Sequence, residues 1–272
     1  MLCFYLWLCV QIIVESFPIS SSGHSYLLMQ FLKKCENEYG ACTDFINQQT
    51  IFTPLFLESF EHVLHLITVM ILALFFFSRW QIYLVRLRTT WPLFMRVVGL
   101  TAVADMCTAF FYCMFKIYPV HLPLVVGFFI TACVLLSIYF ISGNRKNSFN
   151  LRTAIILGIV QGLALLPGIS RLATTFVCAC WLGFAPRKAF ELSWLIAVPL
   201  FLAAGVQGLY KIAQLPGTFN IVYASLPYVL IAGIIAYFAL KLTAYLFYTN
   251  RAWWFGVYII VPITLTLAVW LV

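Results

Sequence analysis

The feature that most constrains this chain is a series of apolar runs at least 18 residues long, at 61–78, 97–115, 120–141, 189–210, 222–246 and 253–271. About 20 apolar residues cross the hydrocarbon core of a bilayer. Each run is expected to be a helix, because lipid offers no partner to an open strand edge. Only 9 % of the 272 residues are charged and 64 % are hydrophobic. A soluble domain would carry roughly 25 % charged residues. Those figures exclude a soluble enzyme, a small secreted disulfide scaffold and a disordered chain. What remains is an all-α polytopic membrane protein, one integral domain over 1–272.

Two further apolar regions, 1–32 and 151–186, are broken near their middles by Pro, Gly and Ser. Each reads as two short helices around a polar break. The first break is Gln11 to His24, QIIVESFPISSSGH. The second is Gln161 to Thr175, QGLALLPGISRLATT. Gln precedes Pro by seven residues in one and six in the other, and small polar residues follow both. Paired interruptions in two halves point to a buried site in repeat-built membrane proteins. The halves are set at 1–141 and 151–272, with re-entrant hairpins at about 1–32 and 151–186.

Connector charges give a topology. Arg79, Arg86, Arg88 and Arg96 lie in one connector, Arg145, Lys146 and Arg152 in another, Arg187 and Lys188 follow the second break, and Arg251 precedes the last run. The net charge of +8 sits in these connectors, a cytoplasmic bias and not a nucleic-acid surface. Placing all four groups inside makes 151–186 enter and leave on one side. The loop with Glu36, Glu38, Asp44 and Glu58 then lies outside, where Cys35 and Cys42 could pair. Lys33 and Lys34 fit this less well. Residues 1–20 lack a positive leader and a small-residue cleavage site, so they are expected to stay in the protein.

Ionisable groups at membrane depth are expensive and need a reason. Glu15 follows Gln11 by one helical turn, and Ser20, Ser21, Ser22 and His24 come next. A carboxylate, hydroxyls and an imidazole at one break supply acid–base and nucleophilic groups together. Arg171 follows Gly168 and Ser170 at the second break, with Thr174 and Thr175 beyond. A helix starting there offers free N–H groups and a guanidinium fork, both suited to phosphate oxygens. Glu191 is expected near the same anion, or paired with Arg171. Glu61 and His65 share one helix face. Asp105 is expected to pair across the bundle. No Walker A, dinucleotide glycine, HExxH or GxSxG pattern occurs.

These residues resemble the undecaprenyl-diphosphate phosphatases of the bacitracin-resistance type. That family carries (Glu/Gln)-x-x-x-Glu followed by P-x-S-S-x-G-H, matched by Gln11–Glu15 and Pro18-Ile19-Ser20-Ser21-Ser22-Gly23-His24. Its P-G-x-S-R-S-x-x-T motif is matched by Pro167-Gly168-Ile169-Ser170-Arg171-Leu172-Ala173-Thr174-Thr175, with Leu172 in place of Ser. Its E-x-S-F-L-x-A-x-P segment matches Glu191 to Pro199, and Phe60-Glu61 matches its F-E pair. His65 stands where the family often has Gln.

The resemblance implies removal of the terminal phosphate from a C55 polyprenyl diphosphate, recycling the carrier for cell-wall synthesis. Glu15, Ser21, His24 and Arg171 would be catalytic. Gln11, Ser20, Ser22, Gly168, Ser170, Thr174, Thr175 and Glu191 would bind phosphate or support those that do. A divalent cation, Mg²⁺ or Ca²⁺, is implied, and Glu15 could hold it. The implied partners are a long-chain polyprenyl diphosphate and the bilayer of the bacterial inner membrane, with no nucleic acid, a homodimer left open, and a site facing outward. A transporter or flippase for a phosphorylated lipid, built from the same inverted repeats, is the alternative.

Overall fold

The computed structural model describes residues 2–39, 54–85, 87–141, 147–215 and 217–271. The Cys35–Cys42 pairing, Asp44, Arg86 and the Arg145-Lys146 pair fall outside what is described. All regular structure among the described residues is helical. The helices are α1 (Leu2–Glu15), α2 (Ser21–Tyr39), α3 (Pro54–Val85), α4 (Leu87–Ile117), α5 (Leu124–Ser137), α6 (Leu151–Leu163), α7 (Arg171–Trp181), α8 (Pro186–Ala213), α9 (Thr218–Tyr248), α10 (Trp253–Tyr258) and α11 (Ile260–Leu271).

Four helices among the described residues are long and apolar enough to cross a membrane, at Leu55–Gln81, Thr90–Ile117, Pro186–Ala213 and Asn220–Tyr248. Their outward residues are apolar, as lipid contact requires, with Phe110, Leu74 and Val206 among those exposed. Two expected spans are altered. The 120–141 run begins only after Pro123 as α5 and ends in a 3₁₀ turn at Ile138–Phe140. The 253–271 run is interrupted at Ile259. Pro262 removes an N–H from that ladder and crowds the carbonyl four residues earlier, which accounts for the interruption. The loop expected from residue 35 is also shorter, since α2 runs to Tyr39 and Glu58 already lies in α3.

At the centre, α3 and α8 pack antiparallel. Phe76 meets Phe190, His65 meets Phe201, and Gly208 meets the backbone of Ser59 and Val63. A Cβ on Gly208 would come within 2.5 Å of the Ser59 carbonyl oxygen, so only glycine allows this approach. An ion pair closes each end of the pair: Arg79 with Glu191 at one, Lys211 with Glu58 at the other. Around this axis α4 packs on α6 and α9 on α1, α7 packs on α5, and α2 touches α11. Gly158 lets α6 approach Ala104 of α4, where a Cβ would lie 2.3 Å from the Ala104 carbonyl oxygen. The short helices α1 and α6 end at the two polar breaks, beside the middle of the α3–α8 pair.

Candidate active site

Both breaks terminate in the same way. Ser20 and Ser170 are the residues just before α2 and α7, and each side-chain oxygen accepts from the backbone N–H three residues on, Gly23 and Ala173, at 3.3 Å. A serine in this position satisfies one of the free N–H groups of a helix start. The first helical residues are then Ser21 and Arg171. Ser20 achieves its turn with φ = +68°, and Gly168 turns the second break with φ = +82°. A left-handed serine is costly and recurs at sites whose geometry demands it.

The second break is bolted to α5. Thr131, fully buried, accepts from the Ser170 N–H at 2.9 Å and donates to the Gly168 carbonyl at 2.9 Å. Gly127 makes room for this contact, because a Cβ there would lie 2.0 Å from the Pro167 carbonyl oxygen. Thr131 and Gly127 carry no polar break or charge around them in sequence, and nothing there marked them.

One pocket collects Glu15, Phe17, Ser20, Ser21, Ser22, Ser170, Arg171, Leu172, Ser193, Trp194 and Phe201, together with Ala164, Ile169 and Ala197. The Ser21 hydroxyl donates to Glu15 Oε2. The other carboxylate oxygen of Glu15 lies 4.0 Å from His65 Nδ1. Arg171 is not ion-paired with any described carboxylate; its guanidinium carbon lies 4.8 Å from the centre of the Phe201 ring, and its buried Nε has no hydrogen-bond partner. The starts of α2 and α7 thus face one space that holds a hydroxyl–carboxylate couple and a buried cation.

Other expected residues lie around this space or away from it. Gln11 donates to Glu61 at 3.1 Å and accepts from Ser25, so it ties α1 to α3 and α2. Thr174 and Thr175 turn their hydroxyls onto the carbonyls of Ser170 and Arg171 and brace the first turn of α7. Gln161, the second-break counterpart of Gln11, donates to Asp105, Thr108 and the Ile196 carbonyl, which gives Asp105 its cross-bundle partner.

His24 does not line the pocket with Ser21. Its Nδ1 lies 2.8 Å from the Ser20 carbonyl, and the Tyr258 hydroxyl lies 3.3 Å from its Nε2, with the two rings stacked. Glu191 also lies apart. Its carboxylate pairs with Arg79 and with Arg187 one turn earlier. Nearness in sequence to the second break suggested a site role, but α8 begins at Pro186 and points this face at α3. Leu172, in place of the usual Ser, lines the pocket from the buried core, and Ala173 beside it is fully buried. Ser193, which sits with Glu191 just after the second break and is expected to support the site, lines the pocket; nothing in the sequence singles out Phe201, Trp194 or Tyr258, since a lone Phe among 26 carries no signal.

Among the described residues no three His, Cys, Asp or Glu side chains converge on a point. Ca²⁺ takes six to eight oxygens and would find one carboxylate here. Mg²⁺ is commonly held by one or two carboxylates together with substrate phosphate oxygens and water. The donor set therefore fits Mg²⁺ shared between Glu15 and a phosphate, and fits a dedicated cage poorly.

Residues 6–264 match the family model described as bacitracin resistance protein BacA. An undecaprenyl-diphosphatase of Borrelia hermsii is 28 % identical over 273 residues, covering 94 % of each chain. One from Thermotoga petrophila is 30 % identical over 207 residues, covering 74 % of this chain and 76 % of its own. One from Alkalilimnicola ehrlichii is 27 % identical over 92 % of this chain and 90 % of its own. With a family match spanning nearly its whole length, this multi-pass membrane chain belongs to the bacitracin resistance protein BacA family.

Proposed function

We propose that the protein hydrolyses undecaprenyl diphosphate to undecaprenyl phosphate and inorganic phosphate. The observation that carries this reading is the meeting of two helix starts, the Ser21–Glu15 couple and Arg171 in one pocket. Helix starts and a guanidinium suit the several negative charges of a diphosphate. A carrier of phosphorylated lipid needs that anion site but has no use for a hydroxyl held on a carboxylate.

The chemistry follows from the couple. Ser21 Oγ attacks the terminal phosphorus, and Glu15 takes the hydroxyl proton. A new O–P bond forms as the bond to the bridging oxygen breaks, and undecaprenyl phosphate leaves. Arg171 and the N–H groups at the starts of α2 and α7 stabilise the charge on the phosphoryl oxygens, where one positioned donor is worth about 10²–10³ in rate. Water then attacks the phosphoserine. The bond from phosphorus to Ser21 Oγ breaks, Oγ recovers the proton held by Glu15, and inorganic phosphate departs carrying both hydrogens of the attacking water. With Mg²⁺ bound, Glu15 would hold it, and it would supply further neutralisation of phosphate charge. His24, tied to Ser20 and Tyr258, holds the turn that presents Ser21.

We also read the two halves as an inverted repeat with re-entrant hairpins. α1, α6 and α7 have 14, 13 and 11 residues, or roughly 15–20 Å at 1.5 Å per residue, against a core about 30 Å thick. The packing of α4 on α6 and of α9 on α1 supports equivalent halves. We place the Glu58–Lys211 end outside in the inner membrane, because Arg79 and Arg187 gather at the other end with Lys188 beside them.

The test is purified protein in detergent supplied with C55 diphosphate, with and without Mg²⁺. Equimolar inorganic phosphate and C55 monophosphate are expected. Transfer of the lipid across vesicle membranes with no phosphate released would overturn the reading in favour of a carrier.

A further inference from the structure

Arg171 presents a problem that the hydrolase reading does not solve. A guanidinium at membrane depth needs a partner, and a carboxylate is the usual one. A carboxylate binds the fork through two parallel N–H bonds, and so occupies donors that a phosphate would use. Among the described residues no carboxylate comes within 4.0 Å of Arg171, and the charges of Glu15 and Asp105 act on it only from longer range. Its Nε is buried without a partner. What lies against it is the face of Phe201, 4.8 Å away, on a ring only 2 % exposed.

An aromatic face attracts a cation through its quadrupole and takes up no N–H. Phe201 thus offsets part of the cost of keeping Arg171 in a dry site while leaving its donors free. The ring is itself fixed. His65 stacks on it with centroids 4.7 Å apart, and Trp194 lies 6.4 Å away. Phe201 also lines the pocket alongside Ser21 and Glu15.

We propose that Phe201 is a positioning residue for the phosphate site, its π face holding the Arg171 guanidinium with its N–H donors unspent and thereby setting the affinity for diphosphate. This rests on the reading of Arg171 as the diphosphate-binding cation. A cation–π contact is worth about 0.5 to 2 kcal/mol, which corresponds to about 2- to 30-fold in binding.

The test replaces Phe201 with mono-, di- and trifluorinated phenylalanines by site-specific incorporation. Fluorines drain the ring face of negative charge at nearly constant volume, so a packing role would be unmoved. The probe is methylene diphosphonate, a non-hydrolysable diphosphate, and its Kd is measured on full-length protein in detergent. The expected result is a stepwise rise in Kd with each fluorine, Phe201→Leu weakest by up to about 30-fold, and Phe201→Tyr close to the parent. Equal Kd across the fluorinated series overturns the proposal, even where Phe201→Leu folds poorly. The two readings fail separately. A flat series with hydrolysis of C55 diphosphate intact sinks only the role of Phe201. A graded series in a protein that releases no phosphate keeps Phe201 and sinks the hydrolase.

Discussion

Replacing Thr131 by Val changes one hydroxyl to a methyl at constant shape, in a residue no closer to the chemistry than the loop behind Arg171. Its Oγ1 lies 2.9 Å from both the Ser170 N–H and the Gly168 carbonyl, and 3.0 Å from the Gly127 carbonyl. The Gly127 carbonyl is also a rung of its own helix, so its loss is small. The Ser170 residue is buried, and an orphaned buried donor costs about 1–3 kcal/mol. That should lower the apparent unfolding temperature by several degrees, at roughly 2–4 °C per kcal/mol for a chain of this size. The effect on rate should exceed the effect on stability. Ser170 caps α7 and Arg171 follows it, so the strain falls on the phosphate cation, where a 1 Å displacement can cost about 10²-fold. Phosphate release from C55 diphosphate should fall about 10- to 100-fold in Thr131→Val and recover to within about 3-fold in Thr131→Ser, which restores the hydroxyl. A Thr131→Val protein with parental rate and unchanged unfolding temperature would refute the bolting of the second break to α5.

Other outcomes are equally specific. Ser20 sits at φ = +68°, so Ser20→Gly should keep more stability and activity than Ser20→Ala, which loses a cap worth about 1 kcal/mol and keeps the strain; thermal unfolding in detergent checks the order. Gly127→Ala forces a Cβ to 2.0 Å from the Pro167 carbonyl oxygen and should lower the yield of folded protein, read by size-exclusion chromatography. Glu15→Gln keeps an acceptor for Ser21 but cannot take its proton, so the rate should fall about 10²–10⁴-fold with methylene diphosphonate still bound. Single cysteines at Arg152 and Arg187 should be labelled from one side of the membrane by an impermeant thiol reagent, and one at Lys211 from the other.

The hydrocarbon core makes certain residues legible and hides others. Glu15, Ser21 and Arg171 stand out because a polar group inside an apolar run is costly and needs a reason, and the structure brings all three to one pocket. The long spans are legible for the same reason. Interruptions that depend on a single proline, as at Pro123 and Pro262, are blurred by a hydropathy that does not change across them. Partners distant in sequence are silent: Gln11 with Glu61 and Gln161 with Asp105 pair across helices that only folding brings together. Glu191 is adjacent to the second break in sequence, yet its carboxylate turns to Arg79, a partner that adjacency does not disclose. Phe201 and Thr131 are ordinary lipid-phase residues in sequence and acquire meaning only from what they touch.

The central claim is that one pocket joins Ser21 as attacking group to Arg171 as phosphate cation. The most direct measurement compares phosphate release from C55 diphosphate by the parent, Ser21→Ala and Arg171→Ala proteins, each shown to be folded by an unchanged unfolding profile. The account predicts one inorganic phosphate per lipid from the parent and a loss of at least about 100-fold in both variants. A folded variant of either kind that retains more than about a tenth of the parental rate would contradict it.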